Sequence, residues 1–202
     1  MDKKEQTIQA YNNNAEEIAK KFEGFDRSKD INELFALIGK KNPRVLEIGC
    51  AGGRDAAVFL QKTTDFLAID ASQKLLDIAK NRLPKGKFVL ADVEKYEFPN
   101  ELDIIYASAS LIHTNKQVLR EVFQRIYYAL YPGGLFRITM KHADKYVEIT
   151  KETPFGTRTY YHFSEEELLD LGNCFDEVLM SEVRFVKGQN WVEILFKKAI
   201  SI

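Results

Sequence analysis

Between residues 44 and about 141, short continuous apolar runs alternate with longer stretches that place apolar side chains at three- and four-residue steps. Val45-Leu46-Glu47-Ile48 and Phe66-Leu67-Ala68-Ile69 have the length and composition of buried strands. Ala56, Val58, Phe59 and Leu60, then Leu75, Leu76, Ile78 and Ala79, follow helical spacing. Ser72 stands as an N-cap for the second of these helices, and Pro84 with Gly86 ends it. Such alternation predicts a parallel sheet covered by helices on both faces.

The flanking segments read differently. Ile8, Tyr11, Ala15, Ile18, Ala19 and Phe22 mark a helical face, broken at Asn12-Asn13-Asn14 because asparagine side chains compete for backbone hydrogen bonds. Ile31, Leu34, Phe35, Leu37 and Ile38 mark another helix, ended by Gly39 and Pro43. Residues 142–163 show no clean period and include Pro154 and Gly156, which predicts a loop or cap. Ser164-Glu165-Glu166-Glu167 spells a capping box ahead of Leu168, Leu169 and Leu171. Glu177–Val186 and Trp191–Lys197, joined by Lys187-Gly188-Gln189-Asn190, predict a β-hairpin. One α/β domain is expected, with helices in 1–40, the alternating core in 44–141, a cap in 142–163 and a helix plus hairpin in 164–202.

Composition narrows the class modestly. With 202 residues, 45% hydrophobic and 29% charged, the chain suits a globular domain with a sizeable core. It lacks any run of about eighteen apolar residues, so no membrane span is expected. Met1-Asp2-Lys3-Lys4-Glu5 lacks the apolar core of a secretory signal, and Cys50 and Cys174 lie far apart. A cytoplasmic, reducing setting without a disulfide is therefore expected. A net charge of −1 and a pI near 6.3 give no whole-domain nucleic-acid footprint. His113, His142 and His162 lack ligand-like spacing, so no metal site is expected.

The chemistry concentrates where the first strand ends. Glu47-Ile48-Gly49-Cys50-Ala51-Gly52-Gly53-Arg54-Asp55 reads as a strand end, a small-residue turn and a helix start. Glycines there remove Cβ atoms that hold a ligand off the backbone, and free N–H groups at a helix start face whatever binds. Asp70 closes the second strand 21 positions beyond Gly49, the spacing at which an acid serves ribose hydroxyls. A nicotinamide fingerprint wants a glycine where Arg54 stands, and Glu47 repels a pyrophosphate. A cationic amino group suits Glu47 better.

On these residues the chain resembles the class I S-adenosylmethionine-dependent methyltransferases, whose first motif is Glu/Asp-x-Gly-x-Gly-x-Gly; Ala51 occupies the middle glycine position. Phe88–Val93 resembles the family's third strand, with Asp92 as the acid that reads the adenine amino group. Leu102–Ala107 resembles its fourth strand, and Glu121–Leu135, with Pro132-Gly133-Gly134, resembles the helix, turn and fifth strand of the type 11 subgroup. The resemblance implies a Rossmann-like, seven-stranded, mostly parallel sheet with an antiparallel C-terminal hairpin. It also implies a helical lid over residues 1–40 and a substrate cap over 142–163. The implied cofactor is S-adenosyl-L-methionine, the implied reaction methyl transfer by in-line displacement, and the implied acceptor a small molecule.

By the same resemblance, Tyr11, Glu47, Gly49, Ala51, Gly52, Arg54, Asp70, Ala71, Asp92, Val93 and Ala107 are expected at the cofactor. Second readings stand beside several. Tyr11 packs on the core, Glu47 holds the turn's own N–H groups, Asp70 is merely solvated, and Asp92 caps a helix. Arg54 either takes the methionine carboxylate bidentately or caps surface charge. His113, in the loop after the fourth strand, is the candidate proton handler, against a packing role. Lys141, Arg158, Tyr160 and Tyr161 are candidate acceptor contacts, the aromatic residues otherwise sealing the sheet. Arg158-Thr159-Tyr160-Tyr161-His162 and Asn190-Trp191 also resemble stretches of the tRNA wobble-uridine carboxymethyl methyltransferases. Residues 142–163 carry three Lys/Arg against three acids, no excess of positive charge for RNA. A non-catalytic cofactor-binding protein is the remaining alternative, because fold does not entail chemistry. The chain is expected to be a monomer or a homodimer.

Overall fold

A computed structural model describes residues 2–200. Three helices come first: α1 (Lys3–Asn13), α2 (Ala15–Glu23) and α3 (Ser28–Ile38). Asn14 breaks the first two apart, and Gly39 ends the third in the left-handed region at φ 63°. The alternating core follows as β1 (Val45–Ile48), α4 (Arg54–Phe59), β2 (Phe66–Asp70), α5 (Gln73–Arg82), β3 (Lys87–Leu90) and β4 (Leu102–Ser108). A 3₁₀ turn (Leu111–His113) leads into α6 (Lys116–Ala129) and β5 (Leu130–His142). The chain then forms β6 (Val147–Lys151), β7 (Arg158–Phe163), α7 (Glu165–Leu171), β8 (Glu177–Val186) and β9 (Gln189–Lys197).

Seven of these strands are the expected ones. β3, β2, β1, β4 and β5 lie side by side and parallel, β9 pairs antiparallel with β5, and β8 with β9. All four residues of β1 are buried, as a central strand covered on both faces demands. The expected caps form: Leu75 N–H donates to Ser72 Oγ at 3.3 Å, and Ser164 and Glu167 satisfy each other's N–H groups at 3.1 Å.

The stretch 142–163 differs from its expectation as a loop, because it contributes β6 and β7, an antiparallel hairpin. Lys141 of β5 pairs with Trp191 on one side and with His162 on the other. β7 therefore continues the β4 side of β5 beyond the tip of β4. All six β7 residues are buried, so polar and apolar positions do not alternate and the strand carries no period-2 signal.

The sheet divides the core into two layers, and β4 shows the division: Ile105 and Ala107 face one, Ile104 and Tyr106 the other. In the first, Phe123 on α6 meets Phe136 and Phe196 with ring centroids 5.3 Å and 5.9 Å away. In the second, Phe59 on α4 packs between Phe66 at 5.7 Å and Tyr106 at 5.3 Å. The strand order reverses between β1 and β4, which opens a crevice at the carboxyl ends of the strands. Among the described residues no helix is long and apolar enough to cross a membrane, and no three His, Cys, Asp or Glu side chains gather as metal ligands do.

Candidate functional site

The crevice is a cavity of about 550 Å³, inside the range of roughly 300–1,000 Å³ typical of small-molecule sites. Its floor is the turn after β1, where Gly49, Ala51 and Gly53 have φ of 75°, 47° and 83°. Asp70, at the tip of β2, braces this turn. Its Oδ2 accepts the Ala51 N–H at 2.8 Å and its Oδ1 the Ser72 N–H at 2.8 Å, while burial raises its pKa. The glycines make room for protein as well as ligand. A Cβ on Gly49 would stand 2.2 Å from Ser110 Cβ, and one on Gly52 2.8 Å from Ala19 Cβ on α2.

Glu47 is only 3% exposed and its Oε2 has no hydrogen-bond partner. Burial, then the like charge of Asp55, pushes its pKa well above the usual carboxylate range. Arg54 turns away from the role of carboxylate clamp. Its Nε and Nη2 fork onto Asp55 at 2.7 Å and 2.5 Å, and Nη1 reaches the Phe22 carbonyl of α2 at 3.4 Å. Ala71, Asp92 and Val93 line the cavity; Asp92 is ion-paired with Lys4 of α1 and accepts the Glu94 N–H at 3.0 Å. Ala107 lies in the apolar core, and the next three residues, Ser108, Ala109 and Ser110, line the cavity in its place.

The roof and the cap meet at His113. Its Nδ1–H donates to the Thr159 carbonyl of β7 at 2.5 Å, so Nε2 carries no proton and accepts the Tyr11 O–H of α1 at 2.9 Å. Burial pushes His113 down to about 4 and Tyr11 up to about 12. The ring is neutral across the physiological range, with both nitrogens engaged. The cap adds two cations among aromatic rings. The Arg158 guanidinium carbon lies 5.1 Å from the Tyr11 ring and 5.5 Å from that of Tyr160. The Lys141 Nζ lies 4.8 Å from the Trp191 ring and 5.1 Å from that of Tyr160. Tyr161 takes the other face of β7 and stacks on Tyr146, 6.0 Å away. Sequence reasoning missed Arg27, which lines the cavity and binds Thr139 Oγ1 and Glu193 Oε1 at 2.9 Å each. An arginine ahead of a helix carries no signal of that distant pairing.

Residues 45–134 match a family model described as a methyltransferase domain. Over that stretch, a little under half of its length, the chain is similar to S-adenosylmethionine-dependent methyltransferases. The trans-aconitate 2-methyltransferase of Acidovorax ebreus is 29% identical over 118 residues, covering 57% of this chain and 45% of that protein. The chain spans about half the length of the curated relatives it matches. The 1,6-didemethyltoxoflavin-N1-methyltransferase of Burkholderia thailandensis, solved with bound 1,6-didemethyltoxoflavin and S-adenosylhomocysteine, has a TM-score of 0.74 at 20% identity, covering 95% of this chain and 87% of that one. A [4+2]-cyclase shares the fold too, at a TM-score of 0.67 and 16% identity, covering 86% of this chain and 82% of that one. The fold therefore leaves the reaction to the site. The matched part of the methyltransferase domain ends at Gly134, so Lys141, Arg158 and Tyr160 lie outside it.

Proposed function

We propose that this protein transfers a methyl group from S-adenosylmethionine to a small-molecule acceptor held under the β6–β7 cap. The observation that carries the cofactor half is Glu47, a buried carboxylate with an unpartnered oxygen beside the turn after β1. Leaving such an oxygen bare is costly, and the ammonium of a methionine tail satisfies it. Asp70 has two lone-pair sites used by N–H groups and two left for ribose hydroxyls. Asp92, one strand further out, is held by Lys4 and Glu94 where an adenine amino group would lie.

When bound, the cofactor supplies a methyl carbon on a good leaving group. The chain has to align an acceptor and keep water out. α1 and α2 roof the cavity through Tyr11, Ile18 and Phe22, and the Tyr11–His113–Thr159 link ties that roof to β7. With Nε2 covered by Tyr11 and its basicity depressed to about 4, His113 positions the lid and takes no proton at neutral pH. The acceptor atom is then one that is nucleophilic without a base. Burial of Lys141 and Arg158 favours a small acceptor over RNA, because tracking a polymer backbone needs exposed cations. The relatives named for trans-aconitate and didemethyltoxoflavin point the same way.

Calorimetry with S-adenosylhomocysteine tests the reading. The wild-type chain binds it, and Glu47→Gln weakens binding about ten- to a hundredfold, the loss of one charge-assisted bond. No binding, equal binding by Glu47→Gln, or preference for a nicotinamide dinucleotide overturns it.

A further inference from the structure

Building on the methyl-transfer reading, we infer that the cap end of the cavity is an anion subsite and that the methyl acceptor is a small carboxylate anchored by Arg158 and Lys141. Both cations are buried, at 8% and 9% exposure. Three arginines at the site and in the core have acids beside them: Arg54 has Asp55, Arg27 has Asp30 and Glu193, and Arg137 has Asp30, Glu33 and Glu193. Arg158 and Lys141 have no carboxylate partner among the described residues. Nε of Arg158 is buried with no hydrogen-bond partner, and its Nη2 reaches only Thr153 Oγ1 at 3.2 Å. Nζ of Lys141 reaches only Gln189 Oε1 at 3.2 Å.

The two cations converge. Both stand within 5.5 Å of the Tyr160 ring, and Lys151 Nζ is 5.2 Å from the same ring. Aromatic faces steady a cation by about 0.5–2 kcal/mol but leave its charge uncancelled. Burial and the neighbouring Lys151 and Arg158 accordingly push Lys141 down to about 8, with His162 also close. A carboxylate supplies the missing charge and matches the planar guanidinium fork. The three acids of the cap do not supply it: Asp144 is exposed, Glu148 pairs with Lys3 and Glu152 accepts from Thr157, all outside the cavity. A carboxylate oxygen is ionised at neutral pH, so as its bond to the methyl carbon forms, the S–CH3 bond breaks and S-adenosylhomocysteine leaves, no proton has to pass to the neutral His113.

The test uses protein saturated with S-adenosylhomocysteine, titrated with benzoate, phenylacetate, succinate and trans-aconitate and with the matching amides. At least one carboxylate is expected to bind about tenfold or more tighter than its amide. Arg158→Gln and Lys141→Met each weaken it about tenfold, Lys141→Arg keeps it within about threefold, and S-adenosylhomocysteine affinity stays within about threefold throughout. Raising the pH from about 7 to about 9 weakens carboxylate binding by the wild type, and not by Lys141→Arg. The inference is overturned if no carboxylate binds, if amides bind equally, or if Arg158→Gln weakens S-adenosylhomocysteine as much as carboxylate, which assigns the arginine to the cofactor. Should S-adenosylhomocysteine itself fail to bind, the methyl-transfer reading falls, and the same titration without it still decides the subsite.

Discussion

The two ends of the cavity are opposite in charge and in construction. At the strand tips, Glu47, Asp70 and Asp92 come from one stretch of chain, each at or just beyond the end of a neighbouring parallel strand. Under the cap, Lys141, Arg158, Tyr160 and Trp191 come from β5, β7 and β9, brought together by pairing across the sheet. The acidic end is braced by local backbone, through Asp70 to Ala51 and Ser72. The basic end is braced by long-range contacts, through His113 to Tyr11 and Thr159. Acids gather at one end and cations without a carboxylate partner at the other, an arrangement suited to a cationic and an anionic group side by side. The seam between the ends is His113.

Titrating that seam has the largest expected effect. Burial lowers His113 from 6.5 to about 4, so as pH falls the unfolded chain takes up its proton first. The stability owed to the neutral ring is intact above about pH 6.5 and is lost progressively toward pH 4, about 3 kcal/mol in all. Denaturant unfolding of the wild type and of His113→Gln at several pH values across this window reads the difference. A wild-type slope no steeper than the variant's breaks the seam as described.

Asp70→Ala comes next and sharpens the contrast. S-adenosylhomocysteine affinity is expected to fall about ten- to a hundredfold, with about 1–3 kcal/mol of stability lost as the Ala51 and Ser72 N–H groups lose their acceptor. Carboxylate binding at the cap is expected to stay within about threefold, since the ends share no partner. Calorimetry in which nucleoside affinity is unchanged reduces Asp70 to a brace of the turn.

The same contrast governs what could be read from the chain before its shape. The acidic end is contiguous, so the spacing from Glu47 through Gly49 to Asp70 already describes it. Errors there are of one residue: Ala107 is core while Ser108 lines the cavity, and Arg54 faces its own neighbour Asp55. The basic end depends on which way each side chain turns. Counting three bases against three acids in 142–163 cannot show that Arg158 faces inward while Glu148 pairs with Lys3. Tyr160 and Tyr161 are adjacent and both aromatic, and only the pleat separates the cavity residue from the packing one. β7 escaped as a strand because both of its faces are covered, which erases alternation.

Ala51→Gly has the smallest expected effect and probes how the acidic end is built. Ala51 holds φ 47°, a left-handed conformation costing a non-glycine residue about 1–2 kcal/mol, which explains why the family spells glycine there. Glycine relieves that strain but frees the unfolded chain, at about 0.4–1 kcal/mol. It also removes a methyl packed with Ala15, Ile18 and Ala19 of α2, worth up to about 0.8 kcal/mol when fully buried. These contributions nearly cancel, so thermal unfolding is expected to shift by less than about 2 °C and S-adenosylhomocysteine affinity by less than about threefold. A clear rise in melting temperature means that backbone strain dominates and the methyl contributes little to the roof. A clear fall means that the methyl is what holds α2 onto the turn, and that the acidic end, like the basic one, depends on a contact made across the cavity.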